Sequence, residues 1–284
     1  MDKQYTDTWD TIIEPQKSLF HLNLQEVWKY RDLLIMFVKR DFVTYYKQTI
    51  LGPLWFLIQP LFTTITYVFI FGNVAKISTD GLPQILFYMA GVTAWNYFAD
   101  CFNKTSTVFR DNQGIFGKVY FPRLITPLGI VVSSLLKFGI QFMLFLGIMG
   151  YFMVTGADIQ PNSTILLLPL LVMMMAGLAL GAGMIITSLT TKYRDLVFLL
   201  TFAVQLLMYA TPVIYPMSTI PSEYQIFIQA NPMAGIIETF RYAFLGTGAF
   251  SWELLAYDFG FMVVLLAVGT LIFNKTERNF MDTV

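Results

Sequence analysis

Residues 164–189 read TILLLPLLVMMMAGLALGAGMIITSL and contain no charged side chain. A helix of about 20 apolar residues crosses the hydrocarbon core of a bilayer, which is about 30 Å thick. Lipid offers backbone N–H and C=O groups no hydrogen-bonding partner, so a crossing segment of this kind must be helical. The stretch therefore predicts a transmembrane helix and places the chain among membrane proteins.

Composition supports the same class for the whole chain. Hydrophobic residues make up 56% of the sequence and charged residues 13%, whereas soluble domains are about 45–50% apolar and about 25% charged. The six predicted spans are residues 53–72, 84–103, 131–154, 164–189, 196–215 and 255–274. The sequence therefore predicts an all-α polytopic membrane protein with six transmembrane helices and both termini on one side.

Basic residues predict the orientation of these helices. Segments 1–52, 104–123, 190–195 and 275–284 together hold 15 of the 18 lysines and arginines. Cytoplasmic loops carry an excess of such residues, so we expect both termini to be cytoplasmic. Lys137 lies inside the third apolar stretch, and we interpret it as a side chain that snorkels to the inner interface. A functional role within the membrane is the alternative.

The N-terminal part of the chain is polar. We expect residues 1–52 to be a cytoplasmic N-terminus and residues 53–284 to form the transmembrane domain. At about 23–42 the sequence NLQEVWKYRDLLIMFVKRDF has apolar residues at helical spacing with charges between them, which predicts an amphipathic helix in the inner interface. Asn23 and Glu26 fit an N-cap and a capping-box acid. No basic segment leads directly into an apolar run, so no cleavable signal peptide is expected.

Two cytoplasmic loops carry features that a plain connection does not need. Residues 104–123 read KTSTVFRDNQGIFGKVYFPR, a loop long enough for a short helix exposed to a partner. Residues 190–196 read TTKYRDL, a turn between the fourth and fifth spans. Its cations anchor the turn on the inner side. Tyr193 and Asp195 exceed that requirement, so a contact with a partner stays open beside simple anchoring.

Residues 216–254 form a mixed, aromatic segment on the outer side. The part from Ala234 to Leu245 has helical periodicity, but it is too short to span a membrane, so it predicts a short re-entrant or interfacial helix before the last span. Asn231 and Pro232 are its start signal, and Gly246 and Gly248 are its stop signal. Glu238 and Arg241 are three residues apart and can form an ion pair on one helical face.

Several kinds of chemistry are missing from the sequence. No G-x-x-x-x-G-K-[ST], H-E-x-x-H or G-x-S-x-G motif occurs. A single cysteine, Cys101, and a single histidine, His21, leave no disulfide framework and no thiolate or histidine cluster for a metal. The formal net charge of zero gives no reason to expect nucleic acid. Asp100 and Asp258 are the acids inside the spans, and each could simply be interfacial. If the protein moves a substrate uphill, another subunit must supply the energy.

Six short motifs occur in order along the chain. They are RDF at 40–42, YKQTILGPLW at 46–55, KVYFPR at 118–123, YRD at 193–195, TPVIYP at 211–216 and NPMAGIIETFR at 231–241. Each is weak alone, but together the chain resembles ABC transporter permeases of the type-2 exporter superfamily. It is similar in particular to those that export O-antigen, teichoic acid or capsular polysaccharide.

The resemblance implies a multi-pass protein of the cytoplasmic (inner) membrane that works as a homodimer with two nucleotide-binding ATPase subunits. ATP and Mg would be bound by those partners, with no cofactor on this chain. The substrate would be a lipid-linked polysaccharide. Residues expected to couple to the ATPase are Arg110, Asp111, Ile115, Phe116, Lys118, Tyr193, Arg194 and Asp195. Residues expected at the outer gate are Asn231, Pro232, Glu238 and Arg241.

The same resemblance implies a channel at the dimer interface, lined mainly by the first and fifth spans. In each of these spans, aromatic and amide side chains recur at i, i+4, i+7 and i+11, so they share one helical face. The expected lining residues are Trp55, Gln59, Phe62, Thr66, Phe198, Phe202, Gln205 and Tyr209. Aromatic faces suit the apolar faces of sugar rings, but the same stripes could serve ordinary helix packing.

The sequence leaves two other functions open. The first is a type-2 ABC permease for a small drug or a lipid, which has the same fold and a narrower path. The second is a membrane-embedded enzyme that processes glycans. In neither case does the sequence favour the alternative, because the six motifs match the polysaccharide permeases and acids within the spans are sparse.

Overall fold

The computed structural model describes residues 24–47 and 49–283. This part of the chain is helical, with no β-strand, which confirms the all-α prediction. The α-helices in order are α1 Leu24–Lys29, α2 Arg31–Tyr46, α3 Trp55–Tyr67, α4 Gln84–Thr105, α5 Val108–Asp111, α6 Gln113–Phe116, α7 Ile125–Val154, α8 Leu168–Lys192, α9 Leu196–Tyr209, α10 Ser222–Gln229, α11 Pro232–Leu245 and α12 Trp252–Thr283. The predicted N-cap at Asn23 and the residues before it lie outside the described residues.

Within the described residues, four helical segments are long and apolar enough to cross a membrane. They are Gly52–Val74, Ile125–Val154, Ser163–Lys192 and Trp252–Glu277, and they correspond to the first, third, fourth and sixth predicted spans. The first consists of a 3-10 turn, α3 and a π-helical segment, Val68–Val74. The second predicted span is the 22-residue helix α4, which contains Asp100 and Lys104 and is therefore less apolar.

The fifth predicted span, residues 196–215, is wrong at its end. Helix α9 stops at Tyr209 and has 14 residues, so at about 1.5 Å per residue it is about 21 Å long. Proline at 212 lacks an N–H and disfavours helical backbone in the residue before it. Residues 210–216 therefore leave the helix and continue as irregular backbone.

The predicted interface helix is present in a different form. It is broken at Tyr30 into α1 and α2, and α2 continues to Tyr46 instead of ending near residue 42. Phe37 is buried against the rest of the protein, whereas Ile35 and Met36 are exposed. Helix α2 therefore has one face that packs on the protein and one apolar face that remains uncovered.

Helix α4 lies at the centre of the molecule and packs against α3, α7, α8 and α11. Its residues from Leu86 to Thr93 are all buried. Aromatic rings from α7 and α11 complete this core, with Phe145 and Phe240 at 5.6 Å between centroids. The central helix is therefore covered on most of its circumference by protein.

Helices α8 and α12 pack at very short distance along a seam of glycines. A Cβ atom at Gly181 would lie 2.7 Å from the carbonyl carbon of Leu265 and 2.8 Å from the nitrogen of Leu266. A Cβ atom at Gly269 would come even closer to the carbonyl oxygen of Gly181. Small residues of this kind allow helix backbones to meet in membranes, where close packing replaces the hydrophobic driving force.

A second, smaller core lies at one end of the bundle, which we call the α5/α6 end. It is built from phenylalanines of α2, α5, α6 and α12 and of the loop before α7. Phe109 and Phe273 stack with ring centroids 4.7 Å apart. The opposite end carries the two short helices before the last span, and we call it the α10/α11 end.

Candidate functional site

The eight residues predicted to line a channel are all exposed on the single chain. Phe62 on α3 is 67% exposed and Phe198 on α9 is 82% exposed. Within α9, Val204 is the one buried residue. Helices α3 and α9 thus present aromatic and amide side chains to the outside of the protomer. Whether these residues line a channel stays a prediction.

Helices α3 and α9 are neighbours on the surface of α4. Near the α10/α11 end, the hydroxyl of Tyr67 donates a hydrogen bond to the sulfur of Met208 at 3.5 Å. The two exposed faces therefore belong to one side of the protein. A contiguous apolar surface of this kind marks contact with lipid or with another protein.

The chain after α9 is anchored in the protein interior. Thr211, Pro212, Val213 and Ile214 are all buried, although they are not helical. Irregular backbone at membrane depth is tolerated where it is buried in protein and its polar groups are satisfied. The anchoring therefore has to supply hydrogen-bonding partners to this segment.

Arg241 of α11 supplies those partners. Its Nη1 donates to the carbonyl oxygen of Pro212 and its Nη2 to that of Val213, each at 2.5 Å. The guanidinium lies 3.8 Å from the ring centroid of Phe87 on α4. A buried carbonyl left without a donor costs about 1–3 kcal/mol, so Arg241 stabilises the position at which α9 ends.

The predicted ion pair between Glu238 and Arg241 is confirmed, with 3.0 Å between Oε1 and Nη1. The second oxygen of Glu238 accepts a hydrogen bond from the backbone N–H of Ala249 at 3.2 Å. Both side chains are buried, with side-chain exposures of 3% and 1%. The pair therefore sits inside the protein and does not face an opening. Its role at an outer gate stays a prediction.

Asn231 joins the start of α11 to the same anchored segment. Its side-chain oxygen accepts from the N–H of Met233 at 3.1 Å, as an N-cap does, and its Nδ2 donates to the hydroxyl of Thr211 at 2.8 Å. Pro232 occupies the first position of the helix, where no N–H is needed. The start signal predicted at these two residues is confirmed.

The predicted coupling residues divide into exposed and buried ones. Arg110, Asp111 and Lys118 are exposed, and Asp111 accepts from Arg110 at 2.9 Å. Ile115 is half-buried. Phe116 is buried at 2% exposure and packs 5.8 Å from the ring of Phe109. The ring of Phe116 belongs to the core at the α5/α6 end and does not reach the surface of the protomer, so its expected role in coupling to the ATPase stays a prediction.

The second predicted coupling segment is the turn between α8 and α9. Tyr193, Arg194 and Asp195 are all exposed there. Thr190, just before them, donates a hydrogen bond to the carbonyl oxygen of Ser106 at 2.6 Å. The structure thus brings residues 104–123 and the TTKYRDL turn together on one surface, although they are far apart in the sequence.

An ion pair between α4 and α7 was missed at the sequence level. Lys137 lies 2.6 Å from Asp100, with side-chain exposures of 15% and 28%. One turn further along, Asn96 donates to Gln141 at 3.4 Å. The ammonium group of Lys137 thus has a carboxylate partner on the neighbouring helix, and its snorkelling to the interface stays a prediction. The signal was available as two opposite charges at similar depth on consecutive spans.

Asp258 of α12 packs inside the protein, and whether it lies at the level of the membrane interface stays a prediction. It is fully buried, and its Oδ2 lies against the Cα of Gly235 in the first turn of α11. Among the described residues, no donor reaches either of its carboxyl oxygens. The side chain therefore packs α12 against α11 at a position where only glycine leaves enough space.

Comparisons with known proteins agree with the motifs. The model of the ABC-2 type transporter family matches residues 32–245, from α2 to the end of α11. The O-antigen export system permease protein RfbA of Klebsiella pneumoniae is 27% identical over 251 residues, which are 88% of this chain and 94% of that protein. A protein of the same name from Myxococcus xanthus is 27% identical over 265 residues, 92% and 98% of the two chains. The polysialic acid transport protein KpsM of Escherichia coli is 21% identical over 240 residues, 84% and 91%.

Proposed function

Because the chain belongs to the ABC-2 type transporter family, we propose that it is the membrane subunit of an ATP-driven exporter of a lipid-linked polysaccharide. The relatives named as O-antigen and polysialic acid transport proteins support this substrate class, since each aligns over most of its length. Our proposal is that a polymer of the O-antigen or teichoic-acid kind crosses the cytoplasmic membrane through a channel between two copies of the chain.

The proposed topology has six crossings with both termini in the cytoplasm. Helices α4 and α9 are counted as crossings in addition to the four longer segments. The short α9 can form a crossing because residues 210–216 continue it through a region that is covered by protein. In that region Arg241 donates hydrogen bonds to the backbone carbonyl oxygens of Pro212 and Val213. The distribution of lysine and arginine supports a cytoplasmic α5/α6 end and an outer α10/α11 end.

The exposed faces of α3 and α9 are the observation that supports a homodimer with a central channel. A partner copy would cover these faces and enclose the aromatic and amide side chains between the protomers. Aromatic rings offer apolar faces with a defined geometry, and Gln59 and Gln205 add hydrogen-bonding groups. Such a surface can hold a sugar chain loosely without reading its sequence.

Energy would come from a separate ATPase that binds ATP and Mg. The sequence has no P-loop, which supports this division of labour. The proposed docking surface combines the exposed residues of the 104–123 loop with Tyr193, Arg194 and Asp195, which the Thr190–Ser106 hydrogen bond holds together. Phe116 would act indirectly by positioning the loop from inside.

We propose that α10 is the helix that moves when the outer gate opens. Helix α11 is held by its buried ion pair, whereas α10 has no buried residue. Asn231 lies between the two helices and is bonded to Thr211. We therefore place the hinge near Asn231 and Pro232, with α11 as the fixed side.

The experiment that tests this function compares a strain lacking the gene with the same strain carrying it on a plasmid. We expect loss of surface polysaccharide and its accumulation in the cytoplasm, both reversed by the plasmid. Intact surface polysaccharide together with drug sensitivity would point to a drug or lipid permease instead. Purified protein should not hydrolyse ATP or process glycan by itself, and turnover by the isolated chain would contradict the proposal.

Replacing the docking surface gives a sharper test. The double substitution Arg194→Ala and Asp195→Ala should lower export while the protein still inserts and folds, because both side chains are exposed. Lys275→Ala, an exposed lysine outside this surface, is the matched control. Unchanged export in the double variant would argue against a docking role for the turn.

A further inference from the structure

A groove at the α10/α11 end lies between two connecting segments, residues 75–78 and residues 215–221. Its volume is about 540 Å³. Its lining includes the apolar side chains of Ile77, Ile220 and Ile228, together with Lys76 and Ser78. The groove thus combines an apolar surface with a small number of polar groups, as ligand sites do.

The position of the groove relates it to the proposed channel. One of its two segments continues the first span beyond Val74, and the other continues α9 beyond residue 210. Tyr215 of the groove donates its hydroxyl to the carbonyl oxygen of Tyr209 at 3.0 Å, and Tyr209 is one of the proposed lining residues. The groove therefore begins where the lining helices end.

Lys76 is the distinctive residue of this groove. In the described segments at this end, residues 75–83, 155–162 and 210–251, the cations are Lys76 and Arg241. Arg241 is buried and bonded to Glu238 and to two carbonyls, whereas Lys76 is exposed. Lys76 also has a φ of 52°, a left-handed conformation that side chains other than glycine and asparagine rarely adopt. Such strain persists where the surrounding structure holds it, often at functional sites.

Lys76 is a positive charge on a surface where the other exposed charges of the described segments are negative. Exposed acids at the same end include Asp80, Asp158 and Glu223, so an anion would meet a repulsive surface elsewhere. Asp80 accepts a hydrogen bond from Ser218 at 2.8 Å, which engages one of its oxygens. The hydroxyl of Ser78 accepts from the N–H of Asp80 at 3.2 Å and can donate its own proton to a ligand.

We propose that this groove binds the phosphate group of the exported lipid-linked molecule as it leaves the channel. The ammonium group of Lys76 supplies the opposite charge, the hydroxyl of Ser78 a hydrogen bond, and the isoleucine walls contact the lipid chain next to the phosphate. This inference rests on the proposed export function. A single exposed cation gives weak binding, which suits an exit site that must release its ligand.

The test measures binding of a polyprenyl phosphate to the full-length protein in phosphatidylcholine nanodiscs, with the uncharged polyprenol as the comparison. Lys76→Ala should weaken binding of the phosphate about fivefold, the size of one solvent-exposed charge contact, and Lys76→Arg should restore most of it. Binding of the polyprenol should be the same in all variants. Lys275→Ala is the control for removing an exposed lysine at the other end. Equal binding of the phosphate to wild type and Lys76→Ala would overturn the inference.

Two further experiments are needed. The first distinguishes polyprenyl phosphate from a membrane phospholipid as the source of the phosphate, and the second distinguishes failure of the groove proposal from failure of the export proposal. If excess phosphatidylglycerol displaces the polyprenyl phosphate completely, the groove is a general lipid-headgroup site and the inference is wrong. Export is then measured in the deletion strain complemented with Lys76→Ala. Full surface polysaccharide without the gene would defeat the export function itself. Loss without the gene, combined with unchanged phosphate binding by Lys76→Ala, would defeat only the groove.

Discussion

Helices α9 and α11 have the same length, 14 residues, and opposite environments. Helix α9, LVFLLTFAVQLLMY, has no charged residue, yet only Val204 is buried. Helix α11, PMAGIIETFRYAFL, contains a glutamate and an arginine, yet twelve of its residues are buried. The more apolar helix is on the outside, and the helix with charges is in the core.

The difference shows how burial works in a membrane protein. Lipid is as apolar as a leucine side chain, so an apolar helix gains little by moving from lipid into protein. Charged and hydrogen-bonding groups lose far more in hydrocarbon and need partners within the protein. Helix α11 is therefore buried because of its polar contacts and its close packing, while α9 is free to face lipid, a second copy or a substrate.

The largest effect is expected from Arg241→Ala in α11. The substitution leaves the Glu238 carboxylate and the carbonyls of Pro212 and Val213 buried without their donor, so it should lower the free energy of unfolding by about 3–5 kcal/mol. Thermal unfolding in detergent and the yield of monodisperse protein measure it. Arg194→Ala, an exposed arginine, should change stability by no more than about 0.5 kcal/mol. Similar stability of the two variants would contradict the anchoring role of Arg241.

Breaking the ion pair between α4 and α7 should have the next largest effect. Lys137→Met removes the partner of Asp100 and should destabilise the protein by about 1–3 kcal/mol. This loss is smaller than for a fully buried ion pair, because solvent screens a pair that is partly exposed. The double variant Lys137→Met with Asp100→Asn should recover part of that loss, because no unpaired charge remains. Strictly additive losses in the double-mutant cycle would show that the two side chains do not interact.

The junction of α9 with the core can be tested at Gly91. A Cβ atom at this position would lie 2.7 Å from the carbonyl oxygen of Val213 and 2.8 Å from Nη2 of Arg241. Gly91→Ala should therefore lower the free energy of unfolding by about 1–3 kcal/mol through overpacking. Gly147→Ala is the matched control, because no described atom beyond its chain neighbours and the backbone of its own helix lies within 4 Å of its Cβ position. It should stabilise α7 by about 0.5–1 kcal/mol.

The smallest change in stability is expected from Phe202→Ala in α9, within about 0.5 kcal/mol, because the side chain is exposed. Export should nevertheless fall about two- to tenfold, the loss expected of one aromatic contact with the substrate or the second copy. Phe240→Ala in α11 should do the opposite and cost about 3–5 kcal/mol of stability. Unchanged export by Phe202→Ala would weaken the proposal that α9 lines the channel.

Much of the fold could be predicted from local pattern. Runs without charge predicted where helices lie, and Gly, Pro and Asn predicted the start and end of α11. The pairing of Glu238 with Arg241 was predictable because residues three apart on a helix are neighbours. The periodic faces of α3 and α9 were visible for the same reason, since helical spacing is a property of consecutive residues.

The remaining contacts of the site could not be derived in this way. The donors for the carbonyls of Pro212 and Val213 come from a residue 28 or 29 positions away, and Lys137 meets Asp100 across 37 positions. The ring of Phe116 packs with Phe109 and Phe121, which the sequence of its loop did not predict. Such pairings depend on how helices lie against one another, which periodicity within one helix does not specify.

The amino-acid sequence by itself determined that this protein is helical, that it belongs in a membrane, and which side chains share a helical face. Only the tertiary structure decided which helices are covered, where α9 is anchored and which charges are paired. The physical reason is that lipid and protein interior are both apolar. Hydropathy therefore identifies the helices that cross the membrane, but it does not show which of their residues are buried in the protein. The core is defined by close packing and by the partners of its few polar groups.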